Sequence, residues 1–401
     1  MNILEEIQNC PVEWKELGEV CELKNGYTPS KTNKEFWENG TIPWFRLEDI
    51  RKNGRVLSNS LQHVSRNAIK GGKVFTANSL IVSTTATIGE VALITVPFLC
   101  NQQITAVMIK QKYEKDLDIK FLFYYLQILS SDMKKGINEG SFPIVSLSKM
   151  RSFKIPIPPL KIQEKIVQIL DKFTEYVTEL TSELTSRKKQ YSFYRDKLLS
   201  FEDEVYQVEW KTLNECLKKG KGTKITASQM KLLHKEGAPI RIFAGGKTYA
   251  DVNYGDIPDK DIHTEEAIVV KSRGIIDFEY CTEPFSFKNE FWSYSSDNEN
   301  INLRYIYHYL VHNKEYFQNI ANNMQMPQIS SNDTEKFKIP VPSLEIQSRI
   351  VQVLDNFDTV CNDLNIGLPR EIELRQKQYE YFREKLLTFV AEGEYTESRV
   401  E

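Results

Sequence analysis

No CxxC pair occurs among the six cysteines, which stand at Cys10, Cys21, Cys100, Cys216, Cys281 and Cys361. A zinc site is therefore not expected, and reduced thiols are. The five histidines (His63, His234, His263, His308 and His312) are scattered as well. His308 and His312 are four apart and could share a helix face. With no third ligand in sequence reach, a solvated helix face is the expectation, and no metal is assigned. No apolar run approaches a membrane span, and MNILEEIQNC at the start carries no basic stretch followed by an apolar one. A cytoplasmic location without membrane contact is expected.

Catalytic signatures are missing too. AGGKTYA (244–250) contains GKT, but the phosphate-cradling loop needs a glycine where Arg241 stands. A plain turn is expected there. There is no GxSxG elbow and no HExxH. Pro258-Asp259, Glu265-Glu266 and Lys271 have the wrong spacing for two carboxylates and a lysine on one strand. An Asn- or Asp-Pro-Pro-aromatic motif of amino-methyltransferases is also lacking. The chain reads as a binder, with no catalytic residue and no cofactor of its own.

What it does have is a repeat. After Ile162 the apolar residues fall at Ile166, Leu170, Phe173, Val177, Leu180 and Leu184, then at Tyr191, Tyr194, Leu198 and Phe201, with Arg187 the one missed beat. Steps of four and three make a heptad seam, so one helix of roughly 60 Å is expected. IPIPPLKIQEKIVQILDKF (155–173) returns as IPVPSLEIQSRIVQVLDNF (339–357). KKQYSFYRDKLLSF (188–201) returns as QKQYEYFREKLLTF (376–389), four residues further along. The extra turn falls around Gly367 and Pro369, so the second arm is expected as two helices and the first as one. VEWKELGEV at Val12 matches VEWKTLNEC at Val208, which makes each repeat a whole domain plus an arm.

Between the framing motifs the text is rich in strands and loops. TIPWFRLEDI (41–50), KVFTANSLIVSTT (73–85), EVALITV (90–96) and QITAVMIK (103–110) read as strands, followed by a helix over 119–130. In the second copy PIRIFAGGKTYA and AIVVKSRGIIDF read as strands, and LRYIYHYLVHN (303–313) takes the place of the helix. Domains that share a frame and differ inside are expected to bind different things.

Net charge is only −3, but its distribution is uneven. Residues 12–155 hold 20 Lys+Arg against 14 Asp+Glu, residues 208–339 hold 17 against 18, and residues 341–401 hold 7 against 12. The first globular stretch is therefore the electropositive one, and the acidic C-terminal end is expected to face something other than phosphate.

The duplicated IPxP, helix and KQYxxxRxKLL unit carries a family resemblance, along with VEWK, LIVSTTATIG (80–89), CNQQI (100–104) and FPIVSLSKMRSFKIPIPPL. Over nearly its whole length the chain resembles the specificity (S, HsdS) subunits of type I restriction–modification systems. The resemblance implies an α+β fold in which two target recognition domains, of mixed β structure with helices, are joined by two long antiparallel coiled-coil helices in a pseudo-two-fold repeat. Residues 1–155 would be the first domain with a short leader, 156–203 the central helix and 204–339 the second domain. Residues 340–391 would be the C-terminal helix and 392–401 an acidic tail.

Each domain would read one half of a bipartite site in double-stranded DNA. The chain itself would not be an enzyme. It would recruit two modification subunits that bind S-adenosylmethionine and methylate adenine, and optionally restriction subunits that use ATP and Mg. An orphan or anti-restriction DNA-binding protein of the same fold is the alternative. Tetrapeptide repeats like TELT-SELT (178–185) would set the spacer between half-sites.

Base edges call for Arg or Lys at guanine, Asn or Gln at adenine, and adaptable hydroxyls. In the first domain the candidates are Arg46, Arg66, Lys70, Lys73, Ser83, Thr84, Thr85, Asn101, Gln102 and Gln103. In the second they are Arg241, Lys247, Lys271, Ser272, Arg273, Lys288 and Asn289. For partner subunits the polar residues of the repeated helix ends are expected: Lys189, Gln190, Arg195 and Lys197, then Lys377, Gln378, Arg383 and Lys385.

Overall fold

A computed structural model of the chain describes residues 3–85, 87–135, 144–201, 207–321 and 327–389. The acidic tail expected at 392–401 lies outside them. Two compact units emerge, Met1–Glu179 with Glu373–Glu401, and Leu180–Ile372. The division falls inside two helices, so each unit holds part of both arms.

The first unit opens with α1 (Ile3–Gln8), which buries Ile7. β1 (Glu13–Glu16) pairs antiparallel with β10 (Lys154–Ile157), Trp14 opposite Pro156. Proline is tolerated there because a two-stranded ribbon leaves one side of each strand without a ladder. Between them, after α2 (Leu17–Val20), stand two sheets. The larger runs β2 (Cys21–Asn25), β9 (Ile104–Ile109), β6 (Ser79–Ser83), β7 (Val91–Ile94), β4 (Val56–Leu57). The smaller runs β5 (His63–Val64), β3 (Ile42–Phe45), β8 (Leu99–Cys100), with β3 and β8 parallel.

Central strands β6, β7 and β9 are apolar without alternation because both faces are covered. Leu80, Val82, Val91, Leu93 and Val107 share a core with Phe121, Leu122 and Leu126 of α4 (Ile119–Lys135). Ile81, Ala92, Ile94 and Ala106 share another with Phe45 and Phe98. TIPWFRLEDI proves to be a strand only over IPWF. The rest begins α3 (Leu47–Asn53), because Asp49 turns back to accept the Arg46 backbone N–H at 2.7 Å. Acidic residues in its first turn and basic ones in its last favour that helix. After α4, α5 (Leu147–Arg151) leads to β10.

The second unit follows the same plan. β11 (Glu209–Thr212) pairs with β19 (Lys338–Val341), Trp210 opposite Pro340. One sheet runs β12 (Lys218–Lys221), β18 (Trp292–Ser295), β15 (Ala267–Lys271), β16 (Asp277–Cys281). The other runs β14 (Tyr249–Val252), β13 (Ile240–Phe243), β17 (Phe285–Phe287), with β13 and β17 parallel. PIRIFAGGKTYA is thus a hairpin of two strands, turning at Gly246 with φ 62. AIVVKSRGIIDF likewise holds β15 and the start of β16, turning at Gly274 with φ 75. α9 (Leu303–His312) takes the place of α4, its Ile306 and Leu310 sharing a core with Ile268 and Val270. α7 (Leu213–Cys216), α8 (Ala227–Leu233), α10 (Lys314–Ala321) and α11 (Ser331–Glu335) complete the unit's globular part.

The arms match the repeat. α6 (Leu160–Ser200) is continuous, whereas the second arm is α12 (Leu344–Asn362) and α13 (Leu368–Leu387). Pro369 sits in the first turn of α13, where no backbone donor is required. In the first unit Phe173 of α6 stacks on Phe382 of α13 at 5.3 Å, and Arg375 lies 5.2 Å over Tyr176, so the two helices run antiparallel. In the second, Tyr191 and Tyr194 of α6 stack on Phe357 of α12 at 6.0 and 5.7 Å. The seam is deepest where it meets a globular core, at Ile166 and Leu170, and half-buried at Leu180 and Leu184. TELTSELT stays helical, with the Thr178 and Thr185 hydroxyls donating back to the Thr174 and Thr181 carbonyls.

One glutamine in each copy joins arm to domain. The side chain of Gln163, fully buried, donates to the Asp116 and Pro158 carbonyls, both at 2.7 Å, and accepts from the Asp118 N–H at 2.8 Å. Gln347, equally buried, donates to the Asn300 and Pro342 carbonyls and accepts from the Asn302 N–H. About two turns further on, Asp171 accepts from Lys120 and Tyr124 of α4, and Asp355 from Arg304 and His308 of α9.

Candidate nucleic-acid interface

Each unit builds the same edge from three pieces of backbone. The first is a close approach. Gly26 and Gly222 lie so near the 100–101 and 287 carbonyls that a Cβ would collide with them. The next residues, Tyr27 and Thr223, donate their N–H groups to the Cys100 and Phe287 carbonyls, both at 2.8 Å. The second is the loop beyond β8 or β17, where the Asn101 and Lys288 N–H groups reach the Phe45 and Phe243 carbonyls at 3.1 Å. The third is the end of β6 or β15. There Thr85 bridges Ile144 and Arg273 bridges Gln328, and the Val145 and Ile329 N–H groups donate to the Thr84 and Ser272 carbonyls at 3.0 Å.

This frame brings Ser83, Thr84, Thr85, Asn101, Gln102 and Gln103 together in the first unit. Ser83 is buried; its hydroxyl donates to the Thr87 carbonyl and accepts from the Glu90 N–H. Thr84 donates its N–H to the Gln103 carbonyl at 3.0 Å. The Thr85 hydroxyl is buried and, among the described residues, unpartnered. Asn101 and Gln103 hold each other by two 3.2 Å bonds, while exposed Gln102 accepts from the Thr28 hydroxyl. Lys70 is exposed, and its ammonium lies 5.4 Å over the Tyr27 ring. Arg46 pairs with Glu48 at 3.1 Å and lies over Trp44, whose indole N–H donates to the Tyr27 carbonyl. Arg66 and Lys73 are exposed.

In the second unit the cations divide by engagement. Arg241 closes its fork on Asp251 at 2.8 and 3.2 Å and lies 4.3 Å over Tyr249; the Asp251 hydrogen bond holds its pKa above the ordinary arginine value. Lys271 is buried, donating to Glu279 at 2.5 Å and to the Gly246 carbonyl at 3.1 Å. Lys288 pairs with Glu290 at 2.6 Å. Ser272 is buried, its hydroxyl donating to the Glu290 carbonyl. Lys247, Arg273 and Asn289 are exposed.

Several neighbours at this edge escaped the sequence reading. Tyr27 and Thr28 are two, although CELKNGYT and CLKKGKGT follow the matched VEWK segments and the parallel was legible. Arg51, which donates to Thr87 at 2.7 Å, and Ile275, 63% exposed beside Arg273, had no such signal.

Along the helix ends, Lys189, Lys197, Lys377, Gln378 and Lys385 are exposed. Gln190 and Gln378 accept from Arg187 and Arg375, Lys377 pairs with Glu373, and Lys385 lies over Tyr381. Arg195 pairs with Asp196 at 3.0 Å. Arg383 differs, being half-buried and donating to Gln127 at 3.3 Å. The solvated face expected of His308 and His312 is not there: His308 is buried and His312 half-buried, each turned toward a different carboxylate, Asp355 and Asp196.

The family model described as type I restriction modification DNA specificity domain matches residues 11–187 and again 207–374. The type I restriction enzyme EcoprrI specificity subunit of Escherichia coli is 40% identical over 369 residues, 88% of this chain and 89% of the relative. Among solved structures, the S subunit of a type I restriction–modification system from M. genitalium superposes with a TM-score of 0.62. It is 17% identical, over 96% of this chain and 98% of that one. A chain from a structure concerned with complex assembly and conformational transition of the type I system gives 0.58 at 16% identity, over 94% and 98%. The structural likenesses show a shared fold; the matched domains and the sequence relative show more, and the chain belongs to the type I restriction–modification DNA specificity family.

Proposed function

We propose that this chain is the non-catalytic DNA-recognition subunit of a type I restriction–modification complex. One observation carries the reading: a single frame, built twice, presents two different sets of loop side chains at equivalent places. Two readers of different chemistry suit a split DNA site with unlike halves. Residues 1–155 and 204–339 serve as the two recognition domains, and the helical arms set the gap between half-sites.

The partners are duplex DNA and two modification subunits, with restriction subunits joining optionally. The near-equivalence of the two arms supports two like docking sites for two like subunits. The exposed lysines at the repeated helix ends are the contacts we assign to them. S-adenosylmethionine, ATP and Mg belong to those partners, the methylated base is adenine, and the complex works in the cytoplasm. No helix among the described residues is long and apolar enough to cross a membrane.

The test is a methylome. The chain is co-expressed with its cognate modification subunit in a host lacking adenine methylation, and the DNA is sequenced by a modification-sensitive method. A split motif with a fixed gap is expected. Co-purification without methylation would replace this reading with that of an orphan DNA-binding protein, and failure of the two proteins to associate would overturn it.

A further inference from the structure

We infer that Arg273 is a base-reading side chain of the second recognition unit and that the base it reads is guanine. The inference rests on the DNA-recognition function proposed above and adds a residue and a base to it. Of the cations grouped at this edge, Arg241, Lys271 and Lys288 are held by Asp251, Glu279 and Glu290. Arg273 and Lys247 remain exposed, and among the described residues neither side chain has an ion-pair partner. The two lie on adjacent turns. Lys271 is hydrogen-bonded to the Gly246 carbonyl, and the Cβ position of Gly245 is 3.9 Å from the Arg273 carbonyl oxygen.

Their supports differ. Reading a base demands a fixed register, whereas a phosphate contact tolerates a mobile side chain. Arg273 is fixed on both sides: its backbone bridges Gln328, the Ser272 carbonyl accepts from the Ile329 N–H, and the Gly274 N–H donates to the Pro327 carbonyl at 2.8 Å. Gly274, at φ 75, turns the chain sharply after it. Lys247 follows two glycines and presents a point charge, which suits phosphate. Beside Arg273, Ile275 is 63% exposed. An apolar side chain at that place favours a base edge, such as a thymine methyl, over the anionic backbone. The arginine fork matches the O6 and N7 acceptors of guanine in the major groove. In the first unit the equivalent residue is Thr85, so this contact belongs to one half-site only.

The experiment compares methylomes of wild type, Arg273→Ala, Arg273→Lys and Lys247→Ala, each as the full chain with the cognate modification subunit. Co-purification of that subunit checks assembly of each variant. Wild type is expected to give a split motif with a guanine in one half. Both Arg273 variants are expected to lose about tenfold or more discrimination at that single guanine, the other half and the gap unchanged. Lys247→Ala is expected to keep the motif, to weaken binding evenly across sequences and to make it less dependent on salt. Unchanged discrimination in Arg273→Ala would overturn the inference. So would an even loss of occupancy at all sequences in both Arg273 variants, which marks a phosphate contact. A wild-type complex that methylates no split sequence would overturn the proposed function itself, and this contact with it.

Discussion

Gln163 and Gln347, one in each copy of the repeat, are both fully buried and make the same three hydrogen bonds. Each ties the start of an arm helix to the proline turn before it and to the loop that begins α4 or α9. An unpaired buried polar group costs about 1–3 kcal/mol. Gln163→Leu and Gln347→Leu each leave two carbonyls and one N–H unpaired, so each is expected to destabilise its own unit by about 3 kcal/mol or more. Urea unfolding followed by hydrogen exchange would assign the loss to a unit. A midpoint equal to that of wild type would show that the joint does not depend on the glutamine.

Lys271 supplies the counterpart to Arg273. Buried between Glu279 and the Gly246 carbonyl, it is expected to act on stability and not on sequence choice. Lys271→Met should cost about 1–3 kcal/mol, through the charged hydrogen bonds it breaks, and leave the methylated motif unaltered. A relaxed motif at wild-type stability would reverse that assignment.

His308 gives the second unit a pH dependence. Burial holds its imidazole below the ordinary value of 6.5, outweighing the Asp355 hydrogen bond. At neutral pH the ring is therefore uncharged, and its 2.7 Å contact with Asp355 is an N–H···O bond. The unfolded chain takes up a proton at this histidine as pH falls through about 6.5, and the folded chain resists. Stability from this group is present above that value and is lost as pH drops below it. His312, lowered by burial as well, adds in the same direction. The unfolding midpoint of wild type should fall more steeply between pH ~7.5 and ~5.5 than that of His308→Gln. Parallel pH curves would remove His308 from the account.

Insertion of one further TELT after Thr185 should lengthen the recognised gap by about one base pair. Four residues advance a helix by about 6 Å and turn it by a net ~40°, close to the rotation of one base-pair step. Because the stretch is unbroken helix with threonine hydroxyls bonded back to their own carbonyls, the insert is expected to extend it without a kink. A methylome with an unchanged gap would sink this prediction.

The arms and the duplicated frame were legible because heptad spacing and copied motifs are periodic signals that survive in a single chain. The break at Gly367 and Pro369 was legible for the same reason, as four residues out of step. What escaped was local chemistry that competes with pattern. LEDIRKN follows a strand and reads on as one until Asp49 is seen capping the Arg46 backbone. Lys271 and Arg273 look alike as loop cations, and only the fold separates a buried charge on Glu279 from an exposed one. Partners distant in sequence, such as Glu279 and Asp251, leave no periodic trace.

α1 and the last turns of α13 meet in one core. Leu386 and Leu387 near the end of α13 are 1% and 2% exposed, in the cluster that also holds Ile7, Ile166 and Leu170. During synthesis the order of completion is therefore inverted. The second unit, Leu180–Ile372, has all of its residues before the first does. The unit translated first stays open along one side of α6 until the last turns of α13 leave the ribosome, and over that interval its apolar seam is a surface for chaperones to cover.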